Sequence, residues 1–195
     1  SYVEKKPVTK ELWQNHLDGI GPNLGIFPLT RKGTCKWGAI DIDDNNFDYE
    51  KLLEKIRKHK LPLIMFRSKS GRAHVYLFMK DFYPAHEIQL VMKKFAAKLG
   101  LADKLDRIYP MQTTLTEKDY GSYLNMPYYN QEETNTPAYK DDFEGATIEE
   151  FFEMYDKYVQ TELTEYLVEE VQSKTKKPKE KKLEDFFLPC TKNCL

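Results

Sequence analysis

The chain predicts an α+β domain in which a mostly antiparallel sheet carries helices packed on one face. Three observations support this. Segments rich in β-branched and aromatic residues, at 36–43, 63–67 and 73–79, alternate with segments of helical period at 47–59 and 84–99. The order is mixed, with a hairpin, then strand–helix–strand, then a helix and further strands, so no strict strand–helix repeat runs through it. Of the 195 residues, 41% are hydrophobic and 13% aromatic, enough for the core of one domain with an appendage.

The elements follow in order. Thr9 can cap a short helix to Asp18, with Leu12, Trp13 and Leu17 on one face and Gly19 as the stop. Leu24–Leu29 and Lys36–Asp43 read as two strands of a hairpin around Thr30-Arg31-Lys32-Gly33. Phe47–His59 is helical, with Leu52, Leu53 and Ile56 together. Leu63–Arg67 and Ala73–Met79 are strands joined by the turn Ser68–Arg72. Pro84–Leu99 is amphipathic, with Pro84 near its start and Gly100 beyond its end. Leu105–Tyr109 and Ser122–Asn125 are weaker strands, 130–146 is irregular, and Thr147–Val171 carries a long helical pattern. The domain is expected to span 1–171. A Lys-rich linker follows at 172–184, and 185–195 reads as the start of a C-terminal helical domain.

Composition narrows the function. With 30 Lys+Arg against 31 Asp+Glu the net charge is −1, so a polyanion would need a local basic patch. No apolar run approaches the roughly 18 residues of a membrane span. The first residues, Ser-Tyr-Val-Glu-Lys-Lys, lack an apolar signal core, and three cysteines make no disulfide framework. These features predict a cytoplasmic protein. Cys190 and Cys194 have the spacing of half a zinc site but no second half in view. His16, His59 and His86 lie in or beside predicted helices with no partner pattern and read as surface residues.

Two motifs carry chemistry. In Ala39-Ile40-Asp41-Ile42-Asp43 side chains alternate, so Asp41 and Asp43 share one face and the isoleucines the other. Asp44-Asn45-Asn46 ends the strand there. A pair of hard carboxylate oxygens suits Mg²⁺ or Mn²⁺, and the pair is also what a strand with one solvated face would present. In Ser70-Gly71-Arg72-Ala73-His74, Gly71 lets backbone approach a ligand, Arg72 can grip phosphate in bidentate fashion, and His74 can donate to a phosphate oxygen. Asp106 is a candidate third carboxylate. Tyr120–Tyr128 is aromatic-rich, and an asparagine such as Asn125 can read a base edge while aromatics stack.

In their order these motifs resemble the archaeo-eukaryotic primase superfamily, which includes primase-polymerases of phages, plasmids and mobile elements. The matching segments are Ile40-Asp41-Ile42-Asp43, Ser70-Gly71-Arg72-Ala73-His74 and Leu105-Asp106, with Tyr109-Pro110-Met111-Gln112 and Leu124-Asn125-Met126-Pro127 similar to the phage and conflict-system branch. Met111 stands where that branch usually has lysine. Leu188-Pro189-Cys190 resembles the segment opening a small helical domain. The resemblance implies an RRM-like sheet and metal-dependent nucleotidyl transfer on single-stranded DNA, with release of pyrophosphate. It further implies metal (Mg²⁺ or Mn²⁺) on Asp41, Asp43 and Asp106, and the triphosphate of an NTP or dNTP held by His74 with Ser70 and Arg72, while Gly71 and Asn125 join the nucleotide site from the residue chemistry above. A replicative helicase is an expected partner. The residues alone also fit a metal-dependent nuclease or a non-catalytic RRM-like nucleic-acid binding module.

Overall fold

The computed structural model describes the backbone of residues 7–44 and 48–173, and the side chains of these except 104–106 and 169–173. Helix α1 (Lys10–Leu17) starts where Thr9 Oγ1 accepts from the Leu12 amide at 3.2 Å. Strand β1 (Gly25–Ile26) and the long β2 (Thr34–Ile42) follow. Helix α2 (Tyr49–Lys58) is capped by the Asp48 carboxylate, which accepts from the Lys51 amide at 3.0 Å. Strands β3 (Ile64–Arg67) and β4 (Ala73–Pro84) precede α3 (Ala85–Leu99), which stops at Gly100 with φ 78°. A 3₁₀ turn (Ala102–Arg107) leads directly into β5 (Ile108–Tyr109). Then come β6 (Leu124–Asn125), α4 (Ile148–Tyr158) and α5 (Thr164–Ser173).

Four strands form one antiparallel sheet in the order β3-β4-β2-β5. Read along the chain, β2-α2-β3-β4-α3-β5 is the β-α-β-β-α-β arrangement, with β2 and β4 at the centre, as in RRM-like sheets. Period-2 alternation divides the sheet between two cores. Ile40, Ile42, Val75, Leu77 and Met65 face α2 and α3. Ala39, Ile64, Phe66, Tyr76 and Tyr109 face the other way, where Phe151, Met154, Tyr155 and Tyr158 of α4 pack over part of them. Helices therefore lie on both faces, and the remainder of the second face is open for a site. On the first face α3 packs close to β2 at Gly38: a Cβ there would stand 2.7 Å from Ile88 Cγ2 and 2.8 Å from Met92 Cγ.

Several expected elements take a different form. Residues 24–29 do not pair with β2, although the turn at 30–34 exists, with Gly33 N–H donating to the Thr30 carbonyl. Instead β1 pairs with β6, about a hundred residues on, with Gly25 opposite Asn125. Leu105–Arg107 is 3₁₀ helix, not strand. The long pattern over 147–171 is two helices, because Gln160 leaves the helix to hydrogen-bond the exposed edge of β4, its amide to the Phe78 carbonyl at 2.9 Å and its carbonyl to the Lys80 amide at 2.8 Å. The expected linker begins inside α5. Its remainder at 174–184, the segment 185–195 with Cys190 and Cys194, and the strand-ending Asn45 and Asn46 lie outside the described residues.

His16 is the clearest correction. It is 1% exposed, not a surface residue. Its Nδ1 accepts from the Leu24 amide at 3.1 Å, which leaves Nε2 as the donor to the Pro127 carbonyl at 2.7 Å. Burial holds its pKa below the usual value, with the Pro127 bond acting the other way. The ring thereby ties α1 to both the β1 and the β6 segments.

Candidate active site

On the open part of the second sheet face, the central strands put their chemistry side by side. Asp41 on β2 stands directly opposite His74 on β4 in the ladder. His74 Nε2 lies 3.4 Å from Asp41 Oδ1. Asp43, just past the end of β2, points to the same side as Asp41 because one residue separates them. Both carboxylates are partly exposed, at 25% and 31%.

They are not bare. Arg107, the last residue of the 3₁₀ turn, reaches both, with Nη1 2.9 Å from Asp43 Oδ2 and 3.9 Å from Asp41 Oδ2. Arg72 forms a second ion pair with Asp43. Two carboxylates thus meet two guanidinium groups, one from the turn between β3 and β4 and one from the turn before β5.

The turn between β3 and β4 is held from within and from below. Gly71 adopts φ 77°, which a side-chain-bearing residue would resist. Its amide donates to the Ser68 carbonyl at 2.9 Å, and the Arg72 amide donates to Ser68 Oγ at 3.0 Å. Ser70 Oγ is 3.0 Å from Ser68 Oγ. From α2, Tyr49 donates its hydroxyl to the turn carbonyls of Gly71 and Arg72. The helix that crosses between β2 and β3 therefore positions the basic turn.

Around these groups opens a cleft of about 920 Å³. Its basic wall is Arg67, Lys69, His74 and Arg107, with Ser68 and Ser70 beside them. The opposite wall comes from the β6 region: Tyr123, Asn125 and Pro127, with Asn23 and Thr136. Asn23 Oδ1 is buried with no hydrogen-bond partner among the described residues. Beneath lie Tyr109, which lines the cleft, and Tyr76, whose hydroxyl is buried and likewise unpartnered there. Burial first, and the neighbouring Asp41 carboxylate second, push both phenols above their ordinary pKa, so both stay neutral.

The structure thus brings Asp41, Asp43, Ser70, His74 and Asn125 to one cleft. Gly71 shapes the turn rather than lining the cleft, and Arg72 reaches Asp43 from that turn. Asp106 has its backbone next to Arg107, on the turn that leads into β5 beside β2, and its side chain lies outside the described residues. Sequence reasoning assigned no role to Arg107, Asn23, Tyr109 or Thr136. The one available signal for Arg107 was a cation next to a candidate carboxylate. The donor set fits a divalent ion in kind: two hard carboxylate oxygens converge where guanidinium groups already stand in for a cation. Among the described residues no cluster of three His, Cys, Asp or Glu completes such a site.

The domain is thus an RRM-like β-α-β-β-α-β sheet with paired carboxylates at the end of a central strand and a basic turn leading into the neighbouring strand. Residues 2–182 match the family model described as "TOTE conflict system, Archaeo-Eukaryotic Primase domain". The match covers most of the chain, and the protein belongs to this family of archaeo-eukaryotic primase domains, which are primase-polymerase-like nucleotidyltransferases. Members act on nucleotides and nucleic acid and generally use divalent metals. No curated protein matches the chain. Among the described residues no helix is long and apolar enough to cross a membrane.

Proposed function

We propose that the domain is the catalytic unit of a primase-polymerase that extends nucleic acid on a single-stranded DNA template. The observation that carries this is the cross-strand pair Asp41–His74 at 3.4 Å inside a cleft whose near wall is Arg67, Lys69 and Ser70. Carboxylates for metal and donors for phosphate stand within one side chain's reach of each other.

In the reaction, a 3′-hydroxyl oxygen bonds to the α-phosphorus of an incoming nucleotide. The bond from that phosphorus to the β-phosphate bridging oxygen breaks, and pyrophosphate leaves with the electron pair. The hydroxyl proton passes to solvent. Little covalent work falls to the protein, and placement and charge neutralisation dominate. Asp41 and Asp43, joined by Asp106, would hold Mg²⁺ or Mn²⁺. When bound, the ion neutralises charge on the phosphates and on the attacking oxygen. His74, Ser70 and Arg72 bind the triphosphate oxygens, and Gly71 gives the turn the shape to approach them. Asn125, across the cleft, meets the nucleoside end with Tyr123 beside it. The neutral Tyr76 and Tyr109 floor lowers the local dielectric under the reacting groups.

The test is template control. Supplied with oligo(dT) and all four nucleotides, the protein should make products containing adenine alone, and oligo(dC) should switch incorporation to guanine. Shortening of the template without new strands would indicate a nuclease. Binding of the template with no change in either would indicate a silent binding module.

A further inference from the structure

Asp41 and Asp43 carry two negative charges, and the two cations on them, Arg107 and Arg72, are provided by the protein itself. Arg107 bridges both carboxylates from a 3₁₀ turn, with Nη1 2.9 Å from Asp43 and 3.9 Å from Asp41. It is also part of the cleft wall, alongside Arg67 and Lys69. Its side chain is 43% exposed, so the guanidinium is held at the open cleft and not sealed in the core. A group so placed can leave one partner and reach another within the same cleft. We propose that Arg107 is a resident cation that keeps the carboxylate pair closed to free divalent metal, yields it to metal arriving with a triphosphate, and then pairs with the phosphates.

The charge balance favours this exchange. A free dication entering the pair displaces Arg107 from two carboxylates and gives it nothing in return. A metal–triphosphate complex brings anionic oxygens with it. The displaced guanidinium gains a bidentate partner of the geometry it prefers, and the cleft keeps its compensation. Arg72, on the basic turn, has the same two choices from the other side. The outcome is ordered filling of the site: free metal binds poorly, metal with nucleotide binds well. This inference rests on the reading of Asp41 and Asp43 as metal carboxylates given above.

The test measures binding and not turnover. Mn²⁺ alone is titrated into the full chain while free Mn²⁺ is followed by its electron paramagnetic resonance signal, for the parent, Arg107→Gln and Asp41→Asn. A fluorescent ATP analogue is then titrated in the presence of saturating Mn²⁺. Arg107→Gln should bind Mn²⁺ alone about tenfold more tightly than the parent, a difference of ~1.4 kcal/mol, and bind the nucleotide about tenfold more weakly. A residue with only a structural role would weaken both or neither, because a loosened site has no reason to favour metal. Arg107→Lys, which keeps the charge but not the fork, should fall between parent and glutamine in both titrations.

Equal or weaker Mn²⁺ binding by Arg107→Gln overturns the proposal. If Asp41→Asn abolishes that binding at the same time, the carboxylate site survives and only the role of Arg107 falls. If Asp41→Asn leaves Mn²⁺ binding unchanged, or if neither parent nor Arg107→Gln binds Mn²⁺, the metal reading of the carboxylates falls with it.

Discussion

Replacing His74 by alanine should weaken nucleoside triphosphate binding more than it weakens the fold. The ring sits on the central strand β4, 12% exposed at its side chain, with Nε2 3.4 Å from Asp41 and its edge toward Tyr76 at a centroid distance of 6.2 Å. A donor in that place gives one charge-assisted hydrogen bond to a phosphate oxygen, worth roughly 1.5–3 kcal/mol. At about 1.4 kcal/mol per decade, affinity should fall about ten- to a hundredfold. Losing the ring also removes packing on Tyr76 and the His74–Asp41 contact, a change of ~1 kcal/mol in stability, typical of a point substitution. His74→Gln separates the two effects, since glutamine keeps an N–H donor of similar reach and should recover part of the affinity. The assay is equilibrium titration of a fluorescent nucleotide, with thermal unfolding of each variant in parallel. If the nucleotide curves of parent and His74→Ala overlay, the ring does not touch the triphosphate and the placement of substrate along β4 is wrong.

Two other positions test how the fold supports the site. Gly38→Ala should cost roughly 1–3 kcal/mol, because the new methyl would meet Ile88 and Met92 of α3 at 2.7 and 2.8 Å, and a normal unfolding midpoint would contradict the close packing of α3 on β2. His16 should make stability pH-dependent on the acid side. Its folded pKa lies below the ordinary 6.5, so the unfolded chain takes the proton first. Its contribution is therefore complete above about 6.5 and is lost as pH falls below it. His16→Gln should flatten the decline in unfolding temperature between about pH 7 and 5, and an unchanged slope would show that the buried ring is not its source.

What the sequence made legible was local. Strand alternation placed Asp41 and Asp43 on one face because period 2 needs no knowledge of the partner strand. Gly100 closed α3 because a left-handed residue after a helical run is a property of a few neighbours. The turn at Gly71 was readable for the same reason, and so was the order of strands and helices that yields the sheet. What stayed hidden depends on contacts distant in sequence. Nothing near Gly25 announces that it will pair with Asn125 rather than continue a hairpin. His16 looks like a polar residue on a short helix until the Leu24 amide and the Pro127 carbonyl close on its two nitrogens. Gln160 interrupts a good helical pattern because the edge of β4 runs beyond β3 and offers unpaired backbone there. Arg107 could not be assigned to Asp41 and Asp43 before β5 was known to lie beside β2, since that pairing helps bring the 3₁₀ turn to the carboxylates.

The most direct test of the catalytic reading is strand synthesis by the Asp41→Ala/Asp43→Ala double variant, measured beside the parent on single-stranded DNA with labelled nucleotides and Mg²⁺ or Mn²⁺. Partly exposed ion pairs such as those of Asp41 and Asp43 contribute roughly 1 kcal/mol or less, so the variant should fold. The account predicts labelled oligonucleotides and pyrophosphate from the parent and neither from the double variant, with the two proteins unfolding at similar temperatures. Synthesis by a folded double variant at a rate near the parent's would contradict it.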